Sequence, residues 1–151
     1  MTHKYHWLDG FLEPTIRVQL DGDAKPPMRF HPTDAGADIC TPESFVLVGN
    51  GFRKVHTGVH VELPPNTACI VMSRSSLYVN HGIITTGLVD EGYDGEIVVR
   101  LTNTTRHPRA FEKGDRIAQL LVIPVLYPYF MKVDAIRGGE RGSSGFGSSG
   151  R

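Results

Sequence analysis

The chain has 151 residues, a length that fits one domain with a real hydrophobic core. Sixteen basic residues balance sixteen acidic ones, and this zero net charge argues against a general nucleic-acid-binding surface, which needs a basic excess. Seventeen glycines and ten prolines, without a repeat or a long helical pattern, favour a β-rich fold. Cys40 and Cys69 are too few for a disulfide framework or a zinc site, and we interpret them as reduced core residues.

The first fourteen residues contain Trp7 and Phe11 but no periodic pattern, and we interpret them as an arm that precedes the domain. This arm lacks the apolar centre of a signal peptide, and no run in the chain reaches membrane-spanning length. We therefore expect a cytoplasmic protein with no membrane partner. A regulatory role of residues 1–14 toward another protein is an alternative that the sequence leaves open.

Alternation of apolar and polar residues after the arm predicts a series of β-strands. The predicted strands lie at residues 16–20, 45–47, 59–63, 68–72, 97–101 and 116–125. His56 and His60 lie four residues apart where the alternation is strand-like, which places them on one face of a sheet. We interpret them as surface residues without a metal.

Two polar side chains stand in apolar surroundings. Asp38 lies between Ala37 and Ile39, and a buried carboxylate must be hydrogen-bonded or placed near a cation. A turn-stabilising role for Asp38 is the alternative. Gln119 is the one amide in the apolar run 116–125, and it needs a partner if it is buried.

Arg74 lies two residues after the predicted strand 68–72 and is flanked by Ser73 and Ser75. A guanidinium among hydroxyl and backbone N–H groups, at the start of a short helix, is suited to holding phosphate oxygens. A serine N-cap beside a surface arginine explains the pattern equally well.

The segment 86–96 combines three glycines with Asp90 and Tyr93, and we predict that it forms a hairpin. Glycines let the backbone turn tightly and approach a ligand closely. In such a hairpin Asp90 could act as a general base and Tyr93 could form the wall of a pocket. The alternative is a hairpin with a solvated acidic tip.

The C-terminal residues 137–151 are rich in glycine and serine, which is typical of a flexible tail. They also include Arg141 and Phe146, which are suited to gripping phosphates and stacking on a base. The alternative to a plain tail is therefore a lid that orders on a ligand.

Taken in order, five stretches resemble the motifs of the trimeric dUTP pyrophosphatases (dUTPases). They lie at residues 35–39, 73–77, 86–96, 114–120 and 141–150, and the resemblance covers about residues 15–150. It implies an all-β fold, a jelly-roll-like β barrel at residues 15–136, with an N-terminal arm at 1–14 and a flexible lid at 137–151. It also implies a homotrimer with shared active sites, in which motifs one, two and four come from one chain, motif three from a second and motif five from a third.

The resemblance implies hydrolysis of dUTP to dUMP and pyrophosphate, which controls the dUTP level and supplies dUMP for dTMP synthesis. Asp90 would activate the water that attacks the α-phosphorus, and Mg²⁺ would be held through water by Asp38 and Gln119. The implied phosphate contacts are Arg74, Ser75, Ser76, Gln119, Arg141, Ser148 and Ser149. The implied uracil and deoxyribose contacts are Gly87, Leu88, Tyr93, Val98 and Phe146.

Three positions depart from the family pattern. Ile84 stands where many members have an asparagine that helps to read the base, Asp94 replaces a basic or amide residue, and Ser144 replaces a glycine. Two alternatives share the fold. A dCTP deaminase needs a glutamate where this chain has Arg100, which cannot act as an acid–base group. A non-catalytic trimeric regulatory protein is disfavoured because the set of motif residues is complete.

Overall fold

The computed structural model describes residues 15–139 and residue 142. Within this part the chain folds into eleven strands and one short helix, which confirms the all-β prediction. The elements are β1 (Arg17–Leu20), β2 (Ala37–Cys40), β3 (Phe45–Leu47), β4 (Phe52–His56), β5 (Val59–Glu62), β6 (Thr67–Met72), α1 (Ser75–His81), β7 (Ile83–Ile84), β8 (Thr86–Val89), β9 (Val98–Asn103), β10 (Arg109–Phe111) and β11 (Arg116–Pro124).

The strands pair in four sheets. The largest has the order β2-β11-β6-β8, a second has the order β4-β9-β7, and the other two are the pairs β1-β5 and β3-β10. All of these strands pair in antiparallel fashion. On β11, Gln119 lies opposite Asp38 of β2 on one side and Met72 of β6 on the other. This register brings three of the five sequence motifs to one place.

One buried cluster joins the sheets and holds the fold together. On β3, Phe45 and Leu47 point into this cluster while Val46 between them is exposed. On β9, Val99 and Leu101 are buried while Arg100 between them is exposed. Each large aliphatic side chain buried in this way contributes about 1.5–3 kcal/mol of transfer free energy. The alternation that predicted these strands therefore reflects packing against the core.

The predicted hairpin at residues 86–96 is wrong in its pairing. β8 pairs with β6, whereas β9 pairs with β4 and β7, so the two strands lie in different sheets. Residues 90–97, which we call the site loop, carry the chain from one sheet to the other. The glycines in it serve this crossing rather than a tight two-stranded turn.

The helix α1 begins after Arg74, whose backbone is extended and whose side chain makes no capping hydrogen bond. The alternative of a serine N-cap is therefore wrong. The helix ends at Gly82, which has a left-handed φ of 59° and donates its N–H to the carbonyl of Tyr78. Leu77 is buried and anchors the helix to the core.

Both cysteines are free, and Cys69 is buried while Cys40 is partly buried. Burial raises the pKa of the Cys69 thiol to about 11 and also raises the pKa of Cys40. This agrees with their interpretation as reduced core residues.

After β11 the described chain has no regular secondary structure, and large apolar side chains of this segment are exposed: Leu126, Tyr127, Tyr129, Phe130, Met131 and Ile136. Among the described residues, no helix has the length and apolarity needed to cross a membrane. The arm 1–14 and residues 140, 141 and 143–151 of the proposed lid lie outside the described residues.

Candidate active site

Asp38 is held between two arginines that come from other elements. Its Oδ1 accepts a hydrogen bond from Arg74 Nε at 2.8 Å, and its Oδ2 accepts one from Arg116 Nη1 at 3.1 Å. The Asp38 side chain is only 14% exposed. The expected cation partner is thereby confirmed, and the turn-stabilising alternative is wrong because both carboxylate oxygens bind residues distant in sequence.

Gln119 also has the partner that its apolar surroundings require. Its Nε2 donates to the Ser73 carbonyl at 2.8 Å, which ties β11 to the start of the segment that carries Arg74. A Cβ added at Gly36 would lie 2.4 Å from Gln119 Oε1, so only glycine leaves room for this amide. The amide is thus held in one orientation, with its oxygen beside Gly36.

A cavity of about 440 Å³, which we call the anion cavity, lies in front of these groups. Arg74 binds Asp38 through Nε, and its guanidinium retains further N–H donors for an anion. Ser75 and Ser76 are exposed and also line the cavity. The full lining is Phe30, His31, Asp34, Ala35, Gly36, Asp38, Arg74, Ser75, Ser76, Arg116 and Gln119.

A second cavity of about 370 Å³, which we call the base cavity, lies along β8 and the site loop. It contains every described residue that the sequence assigned to the nucleoside, together with the exposed carboxylate of Asp90. The full lining is Val71, Thr85, Thr86, Gly87, Leu88, Val89, Asp90, Tyr93, Glu96, Ile97 and Val98.

The Tyr93 ring is fixed against the backbone of the site loop. Its hydroxyl donates to the Glu96 carbonyl at 3.0 Å, and its N–H donates to the Asp90 carbonyl at 3.2 Å. A Cβ at Gly95 would lie 2.4 Å from the Tyr93 hydroxyl oxygen and 2.5 Å from Cζ. Gly95 is therefore what allows the ring to lie in this position.

Glu96 attaches the site loop to the turn between β4 and β5. Its Oε1 accepts the Gly58 N–H at 2.8 Å, and its Oε2 lies 2.8 Å from His56 Nδ1. Burial opposes ionisation of Glu96, but the hydrogen bonds from His56 and Gly58 outweigh it and lower its pKa. Thr57 Oγ1 also donates to the Ile97 carbonyl at 2.6 Å.

Glu91 attaches the other end of the site loop. It accepts a hydrogen bond from the Tyr127 hydroxyl at 2.6 Å and one from the Asn66 N–H at 2.8 Å. These bonds, the one from Tyr127 above all, lower the pKa of the Glu91 carboxyl. Asp90 thus projects from a loop that is anchored immediately after it.

The two histidines of the pattern around residues 56–60 differ in exposure. The His56 side chain is 73% exposed, as the sequence predicted, but the His60 side chain is only 20% exposed. They lie on β4 and β5 rather than on one strand, and both rings contact the site loop, His56 at Glu96 and His60 at the Asp94 carbonyl.

The anion cavity and the base cavity have no lining residue in common. Arg74, Asp38 and Gln119 line the first, whereas Asp90 and Tyr93 line the second. One chain therefore presents two cavities with separate linings. The predicted contacts Arg141, Phe146, Ser148 and Ser149 lie outside the described residues.

Sequence reasoning missed several residues at these cavities. Arg116 binds Asp38 across 78 positions of sequence, and no local pattern marks it apart from its place after Gly114 and Asp115. The departure at Ile84 lies outside the base cavity, whose lining at this point is Thr85. The Thr85 hydroxyl is buried and has no hydrogen-bond partner among the described residues.

The donor set fits a magnesium ion that keeps its water and is bound mainly by phosphates. Among the described residues no three His, Cys, Asp or Glu side chains are grouped to hold a metal ion directly. Asp38 has both oxygens bound to arginines, and Gln119 Oε1 adds one neutral acceptor. Magnesium commonly retains several waters, which such oxygens can bind.

Comparison with known proteins assigns this arrangement to a family. The sequence matches the dUTPase family over residues 23–150. The deoxyuridine 5'-triphosphate nucleotidohydrolase of Leifsonia xyli is 45% identical over 128 residues, which are 82% of this chain and 84% of that protein. The protein of the same name from Thermobifida fusca is 42% identical over 143 residues, which are 90% of this chain and 80% of that protein.

Solved structures agree with the sequence comparison. The dUTPase of Staphylococcus bacteriophage 80alpha with dUpNHpp superposes with a TM-score of 0.84 at 30% identity, covering 91% of this chain and 99% of that one. A mutant dUTPase from phage phi11 of S. aureus, described with a structural Mg(II) ion, gives a TM-score of 0.75 at 26% identity, covering 80% and 97%. This chain belongs to the dUTPase family.

Proposed function

We propose that this chain hydrolyses dUTP to dUMP and pyrophosphate by attack of water on the α-phosphorus. The observation that carries the proposal is the base cavity, which places the carboxylate of Asp90 and the ring of Tyr93 together on the backbone of β8 and the site loop. The names of the relatives, deoxyuridine 5'-triphosphate nucleotidohydrolases, support the choice of dUTP as substrate. The reaction would limit dUTP and supply dUMP for dTMP synthesis.

Asp90 is the proposed general base. Its carboxylate is exposed in the base cavity and can accept a proton from the attacking water. The carboxylates of Glu91 and Glu96 accept hydrogen bonds that hold the loop. Asp90 also lines the cavity, and its carboxylate has no such anchoring role. The anchors at Glu91 and Glu96, which follow Asp90 in the loop, limit its motion during the reaction.

Tyr93 is the proposed discriminator against ribonucleotides. Its ring lies over Gly95 and is held by the Glu96 carbonyl, so it would stand under the deoxyribose and leave no space for a 2′-hydroxyl. Uracil would be read by backbone groups around Gly87, Leu88 and Val98.

The anion cavity is the proposed triphosphate site. Arg74, with Ser75 and Ser76, would bind the phosphates near the scissile bond, and Asp38 would orient Arg74 through the bond to Nε. Asp38 and Gln119 would hold hydrated Mg²⁺ through its waters, and the ion would neutralise part of the triphosphate charge. Arg141, Ser148, Ser149 and Phe146 are proposed to complete the phosphate and uracil contacts from the C-terminal lid.

We propose that the active protein is a homotrimer. Asp90 and Arg74 lie in cavities that share no lining residue, which supports a site completed by residues of different chains. The exposed apolar side chains of Leu126, Tyr129 and Phe130 are suited to contacts between chains. A closed cyclic assembly would pair each anion cavity with the base cavity of a neighbour.

The test is pyrophosphate release from dUTP, UTP, dCTP and dTTP measured side by side with Mg²⁺. We expect rapid release from dUTP and little from the other three nucleotides. Ammonia release from dCTP would instead assign the chain to deamination. Absence of turnover with dUTP would overturn the proposal.

A further inference from the structure

His60 lies between two hydrogen-bond acceptors that come from different elements. Its Nδ1 is 2.9 Å from the backbone carbonyl of Asp94 in the site loop, and its Nε2 is 2.8 Å from Asp21 Oδ2, directly after β1. The ring itself is on β5, which pairs with β1. His60 therefore connects the loop that carries Asp90 and Tyr93 to the neighbouring two-stranded sheet.

Neither partner of His60 has a hydrogen to donate. A backbone carbonyl and an ionised carboxylate only accept hydrogen bonds, and a neutral imidazole carries a hydrogen on one nitrogen alone. Both contacts can be hydrogen bonds at the same time only when both ring nitrogens are protonated. The geometry thus requires His60 to be an imidazolium cation.

We propose that His60, as an imidazolium, is a positioning residue that fixes the site loop for nucleotide binding, and that loss of its proton releases the loop at Asp94. This rests on the proposed function in so far as Asp90 and Tyr93 act on a nucleotide. His60 lines neither the base cavity nor the anion cavity, so it acts through the loop and not through contact with substrate.

The contact to Asp94 is the one that a neutral ring gives up. A hydrogen bond to an ionised acceptor is roughly twice as strong as one between neutral groups, so the remaining hydrogen goes to Asp21. The bare Nδ1 then faces the Asp94 carbonyl, and two lone pairs repel each other. The bonds of Glu96 to Gly58 and His56 remain, so the loop is loosened locally rather than detached.

The charged groups around His60 set the direction of its titration. The Asp94 carbonyl and the Asp21 carboxylate, with a further contribution from the Glu96 charge, raise the pKa of His60 above its ordinary value of 6.5, and burial opposes this. Gln19, opposite His60 on β1, hydrogen-bonds Asp21, and the next charged groups along these strands, Arg17 and Glu62, pair with each other. The loop contact is accordingly complete below pH 6.5 and is lost as the pH rises through the raised pKa.

The substitution Asp21→Asn tests whether the contact to Asp94 depends on the second proton of His60. In Asp21→Asn the amide N–H can donate to Nε2, so a neutral ring keeps its hydrogen on Nδ1 and still binds the Asp94 carbonyl. This variant should hold the loop at every pH. Asp23→Asn is the matched control, because Asp23 pairs with Lys113 and not with His60.

The experiment measures KM for dUTP from pH 6 to pH 9 in the wild type and in Asp21→Asn, Asp23→Asn and His60→Ala. Comparison between variants cancels the titration of the substrate. Relative to Asp21→Asn, the wild type and Asp23→Asn should show KM rising about three- to tenfold with pH, the effect of about one hydrogen bond, with kcat nearly unchanged. His60→Ala should have the raised KM already at pH 6.

A readout without nucleotide separates this proposal from the proposed function. Amide hydrogen exchange of residues 90–97, corrected for intrinsic rates, should accelerate at high pH in the wild type and not in Asp21→Asn, and ¹⁵N spectra of the His60 ring should show both nitrogens protonated at pH 6. If dUTP is not a substrate, these signals still decide the proposal. Equal pH profiles of exchange in wild type and Asp21→Asn, or a singly protonated ring at pH 6, would overturn it.

Discussion

The anion cavity and the base cavity are built in opposite ways. In the first, Arg74 donates a hydrogen bond of 2.8 Å to Asp38, and Gln119 donates one of 2.8 Å to the carbonyl of Ser73, next to Arg74. In the second, the wall is largely backbone of β8 and the site loop, and it is held from outside through Glu91, Glu96 and His60. The charged groups of the anion cavity are thus positioned by direct contacts within it. The shape of the base cavity is positioned by hydrogen bonds to residues outside its lining or at its edge.

The strongest test of this difference removes the charge of Asp90 in the base cavity. Asp90→Asn keeps the size of the side chain but cannot accept the proton, so kcat should fall by about 10²- to 10⁴-fold with a small change in KM. Single-turnover kinetics and binding of a non-hydrolysable dUTP analogue would separate the two effects. A kcat within threefold of the wild type would exclude Asp90 as the base.

The second test asks whether the two cavities work across chains. Asp90→Asn and Arg74→Ala chains should each be nearly inactive alone, but co-expressed chains that assemble at random should regain about one quarter of wild-type activity. The expected recovery follows because one site in four combines an intact Asp90 with an intact Arg74 from different chains. A mixture that remains as inactive as its components would place both residues in the same chain.

The third test addresses the side-chain bonds of the anion cavity. Arg74→Lys keeps the charge but loses the planar fork and its Nε–Asp38 bond, so kcat/KM should fall about 10- to 30-fold. Arg17→Lys is the control, because the ion pair of Arg17 with Glu62 is exposed and exposed pairs contribute little. Equal effects of the two changes would show that the Asp38 bond does not matter to the site.

The smallest expected effect concerns the shape of the base cavity. Gly95→Ala would place a methyl group against the Tyr93 ring, which must move, and the preference for dUTP over UTP should fall about three- to tenfold. Gly138→Ala is the control, since nothing lies within 4 Å of its added Cβ. Unchanged selectivity with unchanged stability would mean that the Tyr93 ring does not discriminate the sugar.

The difference between core strands and site segments explains what the sequence could predict. Strands with an apolar face toward the core, such as β3 and β9, were identified because burial imposes a period of two on neighbouring residues. The order of the motifs identified the family. β2 was not identified as a strand, because Ile39 is its one large buried apolar side chain and four residues are too few to show an alternating pattern.

Long-range pairing was beyond local patterns. The hairpin prediction failed because nothing within residues 86–98 states that Thr86 pairs with Met72 and Val98 with His56. The bonds of Arg116 to Asp38 and of His60 to Asp94 join residues 78 and 34 positions apart. Such contacts form only when the strands pair as they do in the fold, and a single sequence does not reveal those pairings.

The buried thiols have a practical consequence for following the site loop by spectroscopy. With the pKa of Cys69 near 11 and that of Cys40 also raised, both side chains stay protonated near neutral pH and are weak nucleophiles. A cysteine introduced at the exposed position Asp94 would therefore react first with a maleimide fluorophore. Cys40 and Cys69 should contribute little labelling of their own, so neither has to be replaced before the experiment.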